Sequence, residues 1–335
     1  MIRETEYPSF SGISTFMRAD IKDRSDIKEG EYAVIGAPYD TTLGTRPGAR
    51  YAPKSIREES AHYIYHFSAI DKEVIDVCSG VKYKYEPISK LYDTGDARVY
   101  PSDVAKTTKS IADEIDKIVS RGGIPVTLGG DHYITYPVMV GFESGMEKQL
   151  KRKPRIGYVH IDSHMDAYYE NETWGKYYHG SPARRISELE SVAIKNMVWV
   201  GLNGTTGIEP YNYVKANNGT MFTIDDVNKE GMTAIMKKAC EIAGEGCDCI
   251  YVTIDIDVVD QAYSAGTGSY VYGGITACQL LEAADAISEN KQVKGIDLVE
   301  VAPNLDLTGN TARLAATTLI SFLKPRLFKK TESGE

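Results

Sequence analysis

The sequence predicts a single α/β domain in three layers, αβα, around a central, mostly parallel sheet. Three observations carry this. Short apolar runs alternate with helical periodicity from one end of the chain to the other. Those runs lack the polar alternation of a sheet with one wet face, so both faces must be covered. No linker, repeat or low-complexity segment divides the 335 residues, a length that can bury one large core. The domain is expected to span residues 1–335, with about 1–30 and about 325–335 peripheral.

The elements follow in order. Tyr32–Ala37 reads as a buried strand, and a loop rich in Gly, Pro and Arg runs on to Tyr51. Val104–Ser120 is helical: Ile111, Ile115, Ile118 and Val119 share one face, Ser102 or Asp103 can cap it, and Gly122-Gly123 ends it. Further strands are expected at Ile124–Leu128, Ile156–Ile161, Val198–Gly201, Met221–Thr223, Cys249–Asp255 and Val293–Val299. Met232, Ile235, Met236, Ala239 and Ile242 mark one helix, and Thr276 to Gln279 is a capping box opening another. The last helix is expected from about Asn310 to Leu323.

A net charge of -9 argues against nucleic-acid and anionic-membrane partners, and suits a cationic substrate. No run reaches the roughly 18 apolar residues of a membrane helix, and the first residues carry no signal-peptide stretch. A cytoplasmic, reduced setting is the expectation. Five cysteines at irregular spacing are no disulfide framework. Cys247 and Cys249 lead into Ile250-Tyr251-Val252 and read as buried thiols.

The chemistry concentrates in a few segments. His160 to Asp166 packs Asp162, His164 and Asp166 at spacings of two, on one side if the backbone stays extended. Asp255 and Asp257 repeat the pattern. Carboxylates and an imidazole converging on one point repel unless a cation lies between them, so the pattern points to divalent metals and metal-assisted hydrolysis. Gly129-Gly130-Asp131-His132 follows a strand directly and projects His132 above the sheet. Ligands bind at the carboxyl ends of such strands, where His132, His164, Asp255 and Glu300 all fall. Asp166 and Asp260 could instead hold a ligand or a turn. Of the six histidines, His62 and His66 stand among tyrosines and read as structural.

Together these motifs resemble the ureohydrolases, the arginase and agmatinase superfamily. Gly129–His132 matches GGDH, Asp162–Asp166 matches D-A-H-x-D with Ser163 for Ala, and Thr253–Asp260 matches S-x-D-x-D-x-x-D. His179-Gly180 matches HG, and Glu300–Pro303 matches E-x-x-P. The resemblance implies the arginase-like fold and two divalent ions, usually Mn²⁺, with Ni²⁺ compatible. One ion would take His132, Asp162, Asp166 and Asp255, the other Asp162, His164, Asp255 and Asp257. It also implies that water activated by the pair attacks a guanidinium carbon. His179 would shuttle a proton, Glu300 would pair with the guanidinium, and Asp166 would belong to both the metal and the catalytic set. Relatives are usually trimers or hexamers, so a homo-oligomer is implied.

The substrate tail is read from departures. Tyr168 stands where arginases typically carry Asn, which disfavours arginine. Agmatine, yielding putrescine and urea, is the first choice, with Glu170 or Glu172 as the tail's anchor. A guanidino acid would use Arg184 or Arg185. Free guanidine and formiminoglutamate are further alternatives, as are a one-zinc amidohydrolase and a non-catalytic subunit. The loop at 260–272 lacks two expected prolines and gains Tyr270 and Tyr272. With Tyr168 and Trp174, Tyr270 joins His179 and Glu300 as a candidate substrate contact.

Overall fold

The structure is a computed structural model, which describes residues 8–68, 73–77, 80–84 and 90–331. Its strands, in chain order, are β1 (Asp20–Ile21), β2 (Tyr32–Gly36), β3 (Glu73–Ile75), β4 (Lys82–Lys84), β5 (Leu91–Asp96), β6 (Ile124–Leu128), β7 (Ile156–Ile161), β8 (Met197–Leu202), β9 (Thr220–Thr223), β10 (Cys249–Asp255), β11 (Val293–Val299) and β12 (Lys329–Thr331). The helices are α1 (Ala52–Ser68), α2 (Val104–Val119), α3 (Thr135–Leu150), α4 (Pro182–Ile186), α5 (Ile208–Ala216), α6 (Ile224–Glu230), α7 (Met232–Gly244), α8 (Ala277–Glu289) and α9 (Asn310–Leu327).

Nine strands form one sheet in the order β1-β5-β2-β6-β11-β10-β7-β8-β9. Every pairing in it is parallel. The central strands are buried along their whole length, which is why their sequences are apolar without alternation. Apolar residues of α1, α7, α8 and α9 cover one face, and those of α2 and α3 the other. This is the three-layer arrangement expected. Antiparallel β12, β4 and β3 make a small second sheet.

The expected helices and strands are present, with ends shifted by a few residues. The last helix continues past Leu323 to Leu327, through Pro325. The capping box at Thr276 forms as read, with Thr276 Oγ1 accepting from Gln279 N. The segment expected at the periphery near the start instead places Phe16 and Met17 in the core and adds β1 to the sheet edge.

Sequence reading did not find α3. Its glycines lower helix propensity, yet Gly141 and Gly145 are what let it lie against α2. A Cβ on Gly141 would stand 2.3 Å from Ala112 O, and one on Gly145 2.5 Å from Val119 Cβ. Close backbone approach overrode propensity here.

Cys240, Cys247, Cys249 and Cys278 are free thiols, Cys249 buried and Cys247 only partly so. Cys78 and the side chain of His66 lie outside the described residues, and His62 shares a hydrogen bond with Ser9. Among the described residues no helix is long and apolar enough to cross a membrane.

Candidate metal centre and active site

Sheet order builds the site. Strands β6, β11, β10 and β7 are contiguous neighbours, so their carboxyl ends form one edge. His132 follows β6, Glu300 follows β11, Asp255 ends β10 and Asp162 follows β7. Four segments far apart in the chain are thereby brought together, in the crevice where parallel sheets bind ligands.

The expected extended backbone is not what makes the ligands converge. β7 stops at Ile161, and Asp166 adopts the left-handed region at φ 45. Asp162 Oδ1 accepts from His164 N at 2.6 Å. Asp255 Oδ1 accepts from Asp257 N at 2.8 Å, inside a short 3₁₀ turn. Both pairs use the same device: the first carboxylate closes a turn that folds the second ligand back beside it. Strand alternation would have strung the ligands out along β7 and β10; the turns keep them at the tips.

Around His132 Nδ1 lie Asp162 Oδ2 at 3.1 Å, Asp166 Oδ2 at 3.0 Å and Asp255 Oδ2 at 3.1 Å. That nitrogen is buried and makes no well-directed hydrogen bond. The opposite nitrogen, Nε2, lies 3.1 Å from Thr253 Oγ1, which gives its own hydrogen to Asp297. Nε2 therefore carries the ring proton, and Nδ1 is left with a lone pair facing three carboxylates. A cation among them satisfies that arrangement; without one, a second ring proton on Nδ1 must take its place. The second group is Asp162, His164 and Asp257: His164 Nδ1 lies 3.4 Å from Asp162 Oδ1 and 3.1 Å from Asp257 Oδ2. Asp257 Oδ1 is also buried without a partner. The residues present thus fit a pair of divalent ions, with Asp162 common to both groups.

The electrostatics agree. Burial first, then the neighbouring Asp162 charge, pushes Asp255 up to about 6. Burial and Asp255 raise Asp257 well above the carboxylate range. Burial opposes charge on His132, yet Asp162, Asp166 and Asp255 outweigh it and raise the imidazole. Asp162 is held low against burial by His132, His160 and His164. The crowded acids are left wanting positive charge.

Buried partners fix the clustered side chains. His160 stacks on His132 at 4.7 Å and bridges Tyr158 OH, at 3.0 Å, to Asp162 Oδ2, at 2.9 Å. Tyr251 OH donates to Asp297 at 2.8 Å. Asp131 turns away from the cluster to accept from Thr42, and Asp260 accepts from Ala262 N and Gly273 N, so it braces the 260–273 loop.

Above the cluster opens a cavity of about 550 Å³. His164, Asp166, Asp255, Asp257, His179, Glu300, Tyr168 and Tyr270 all line it. Glu300 is buried in the left-handed region at φ 63, and its Oε1 accepts from His132 N at 2.8 Å. Burial, then Asp255 and Asp131, raise its carboxyl well above the usual range.

Other expectations fail. Trp174 does not line the cavity; its indole packs behind Gly44 and is 41% exposed. Arg184 lies over the Tyr213 ring and pairs with Glu209 at 3.0 Å, while Arg185 pairs with Glu188 at 2.8 Å. Glu170 and Glu172 are exposed and outside the lining. Neither expected tail anchor reaches the cavity. Instead Thr45, Asn171, Tyr178, Thr205, Thr206 and Ser269 complete its wall. They come from loops whose hydroxyls and amides carry no periodic signal in the sequence.

Residues 30–324 match the model of the Arginase family. The human mitochondrial guanidino acid hydrolase is 33% identical over 315 residues, covering 93% of this chain and 82% of that protein. The mitochondrial agmatinase of Gallus gallus is 29% identical, covering 93% and 85%. The solved structure of proclavaminate amidino hydrolase from Streptomyces clavuligerus superposes with a TM-score of 0.79 at 25% identity, covering 96% of this chain and 99% of that one. Its fold, its paired carboxylate–imidazole clusters and these matches place this chain in the Arginase family, the metal-dependent hydrolases that act on C–N bonds of guanidino compounds.

Proposed function

We propose that this enzyme hydrolyses a small guanidino compound at the cavity floor, releasing urea and the amine of its tail, as an agmatinase does, or ammonia where the substrate is free guanidine. The position of Glu300 carries the reading: a buried carboxylate that opens on the cavity beside the Asp/His clusters. A guanidinium is planar and cationic, and a carboxylate offers it two acceptors of opposite charge.

When bound, a divalent pair at the two clusters supplies Lewis-acid polarisation and lowers the pKa of water. Carboxylates with two imidazoles suit Mn²⁺, the first choice, and also Ni²⁺. Glu300 seats the guanidinium and aims its carbon at the clusters. His179 lines the same cavity: as the water oxygen bonds to the guanidinium carbon, the ring takes a proton from that water and passes it to the nitrogen of the breaking C–N bond, so that the amine departs neutral. Burial lowers its imidazole pKa, which keeps the ring neutral and ready to accept between transfers. A homo-oligomeric enzyme belongs to this reading on family resemblance.

The neutral wall bears on the tail. With hydroxyls and amides in place of an ionic anchor, a short or uncharged tail, free guanidine included, is favoured over one held by an opposite charge. Tyr168, whose hydroxyl accepts from Gly207 N at 3.0 Å, has no side-chain amide to offer an α-amino acid. The test is urea release from agmatine, arginine, 4-guanidinobutyrate, 3-guanidinopropionate and guanidine, with Mn²⁺ or Ni²⁺ loaded. Urea from at least one, with arginine the weakest, is expected. A metal-replete protein silent on the whole panel would end the reading.

A further inference from the structure

His179 does not stand at a strand tip. It ends a long loop whose feet are joined by Tyr168 N to Gly180 O at 3.2 Å and by Ala183 N to Asp166 O at 3.0 Å. Within the loop the Tyr178 ring packs edge-on to the imidazole at 5.8 Å, and a neighbour adds a second support.

That neighbour is the segment Thr42–Gly44, between β2 and α1. Thr42 is buried and donates to Asp131 Oδ2 twice, from N at 3.2 Å and from Oγ1 at 2.6 Å. Asp131 is itself fixed beside the β6 tip, with its N donating to Tyr39 O at 2.8 Å. The Thr42 carbonyl then accepts from His179 N at 3.5 Å. Gly44 lies beside the ring: a Cβ there would stand 3.3 Å from His179 Nε2 and 3.4 Å from Trp174 Nε1. A methyl group there would push the imidazole by a few tenths of an ångström and would meet the indole at ordinary contact distance.

We propose that Thr42 and Gly44 are positioning residues for His179. Asp131 anchors Thr42, the Thr42 carbonyl anchors the His179 backbone, and the bare backbone of Gly44 seats the imidazole at the cavity. Neither residue belongs to the clusters that fit metal. The inference rests on the reading of His179 as the proton carrier.

Thr42→Val removes the hydroxyl at nearly constant shape, Thr42→Ser keeps it, and Gly44→Ala presses a methyl group on the ring. The experiment uses the Mn²⁺-loaded enzyme and its best guanidino substrate. It records kcat, KM, the pH profile of kcat, bound metal and melting temperature, with His179→Ala as reference. Expected for Thr42→Val and Gly44→Ala is a loss of about 10–100-fold in kcat, the scale of a misplaced group. KM and bound metal stay close to wild type, the pH profile shifts, and Thr42→Ser restores most of kcat. If His179→Ala keeps wild-type kcat, the proton-carrier reading fails and takes this inference with it. If His179→Ala is inactive while folded, metal-replete Gly44→Ala turns over like wild type, the positioning inference alone is overturned. Should Thr42→Val lose metal or fold, the Gly44→Ala result decides.

Discussion

His179 Nδ1 stands 4.0 Å from Glu300 Oε1, the same oxygen that accepts from His132 N. One carboxylate thus stands beside the proposed proton carrier, beyond hydrogen-bond reach, and accepts from the backbone of a proposed metal ligand. Glu300 holds this place in a left-handed conformation that few side chains adopt, with its N bonded to Gly130 O at 2.9 Å. Glu300→Gln keeps an acceptor for His132 N but removes the charge. A fall of about 10²–10³ in kcat/KM, with bound metal unchanged, is expected. Urea release and metal analysis on the same sample check it, and full kcat/KM would release Glu300 from guanidinium binding.

Asp257→Asn should invert the order of stability. Without metal, Asp257 is a buried carboxylate beside Asp255 and Asp162, with one oxygen unpartnered. Burial and those charges make Asp257 take up a proton on folding near neutrality; Asn escapes that cost while its Oδ1 still faces His164, so the variant should melt above wild type in chelator. Saturating Mn²⁺ should reverse the order, because a ligand at about 100 times its Kd stabilises the native state by about 2.7 kcal/mol. Thermal melts in chelator and in Mn²⁺ make the comparison. An equal gain from Mn²⁺ in both proteins would remove Asp257 from the metal site.

Gly130→Ala should damage fold and site together. The added Cβ would lie 1.8 Å from the Tyr39 carbonyl oxygen, which is backbone and cannot rotate aside. The β6 tip would have to move, carrying Asp131 and His132 with it. A cost of about 3 kcal/mol is expected, with weakened metal binding. Denaturant midpoints and calorimetric metal titration are the measurements. An unchanged midpoint with wild-type affinity would mean that the tip is more plastic than its packing implies.

Asp248 supplies a pH signature far from the site. Arg152 holds it bidentately at 2.9 and 2.6 Å, and Arg155 N donates at 2.8 Å. The Arg152 guanidinium first, and then the Arg155 backbone, bring its pKa down to about 2 against burial. A depressed carboxylate contributes stability that is present in full above its unfolded value of 3.8 and lost as pH falls through about 2. Asp248→Asn should therefore be less stable than wild type near neutrality, by at most about 1 kcal/mol because Arg152 is open to solvent. The difference should close as pH falls from 3.8 toward 2. Unfolding midpoints across that range test it; a gap that persists at the acid end would assign the effect to hydrogen bonding, not charge.

The succession of strands and helices, the burial of Ile124–Leu128, Ile156–Ile161 and Cys249–Asp255, and the residues gathered at their ends were all legible in the chain before it folded. These are local facts: an apolar run, a capping box and a ligand spacing need only a few neighbouring residues to be read. Folding in three dimensions was needed to set β6, β11, β10 and β7 side by side, to aim the ligands through turns closed by Asp162 and Asp255, and to leave the cavity to neutral side chains in place of Arg184 and Glu170. It was needed too for Gly141 and Gly145 to work as contact surfaces in α3 and for Thr42 to reach Asp131 across 89 positions. Strand order and loop contacts are set by which distant surfaces bury best against each other, and a hydroxyl or a glycine in a loop bears no local mark of the partner it will meet.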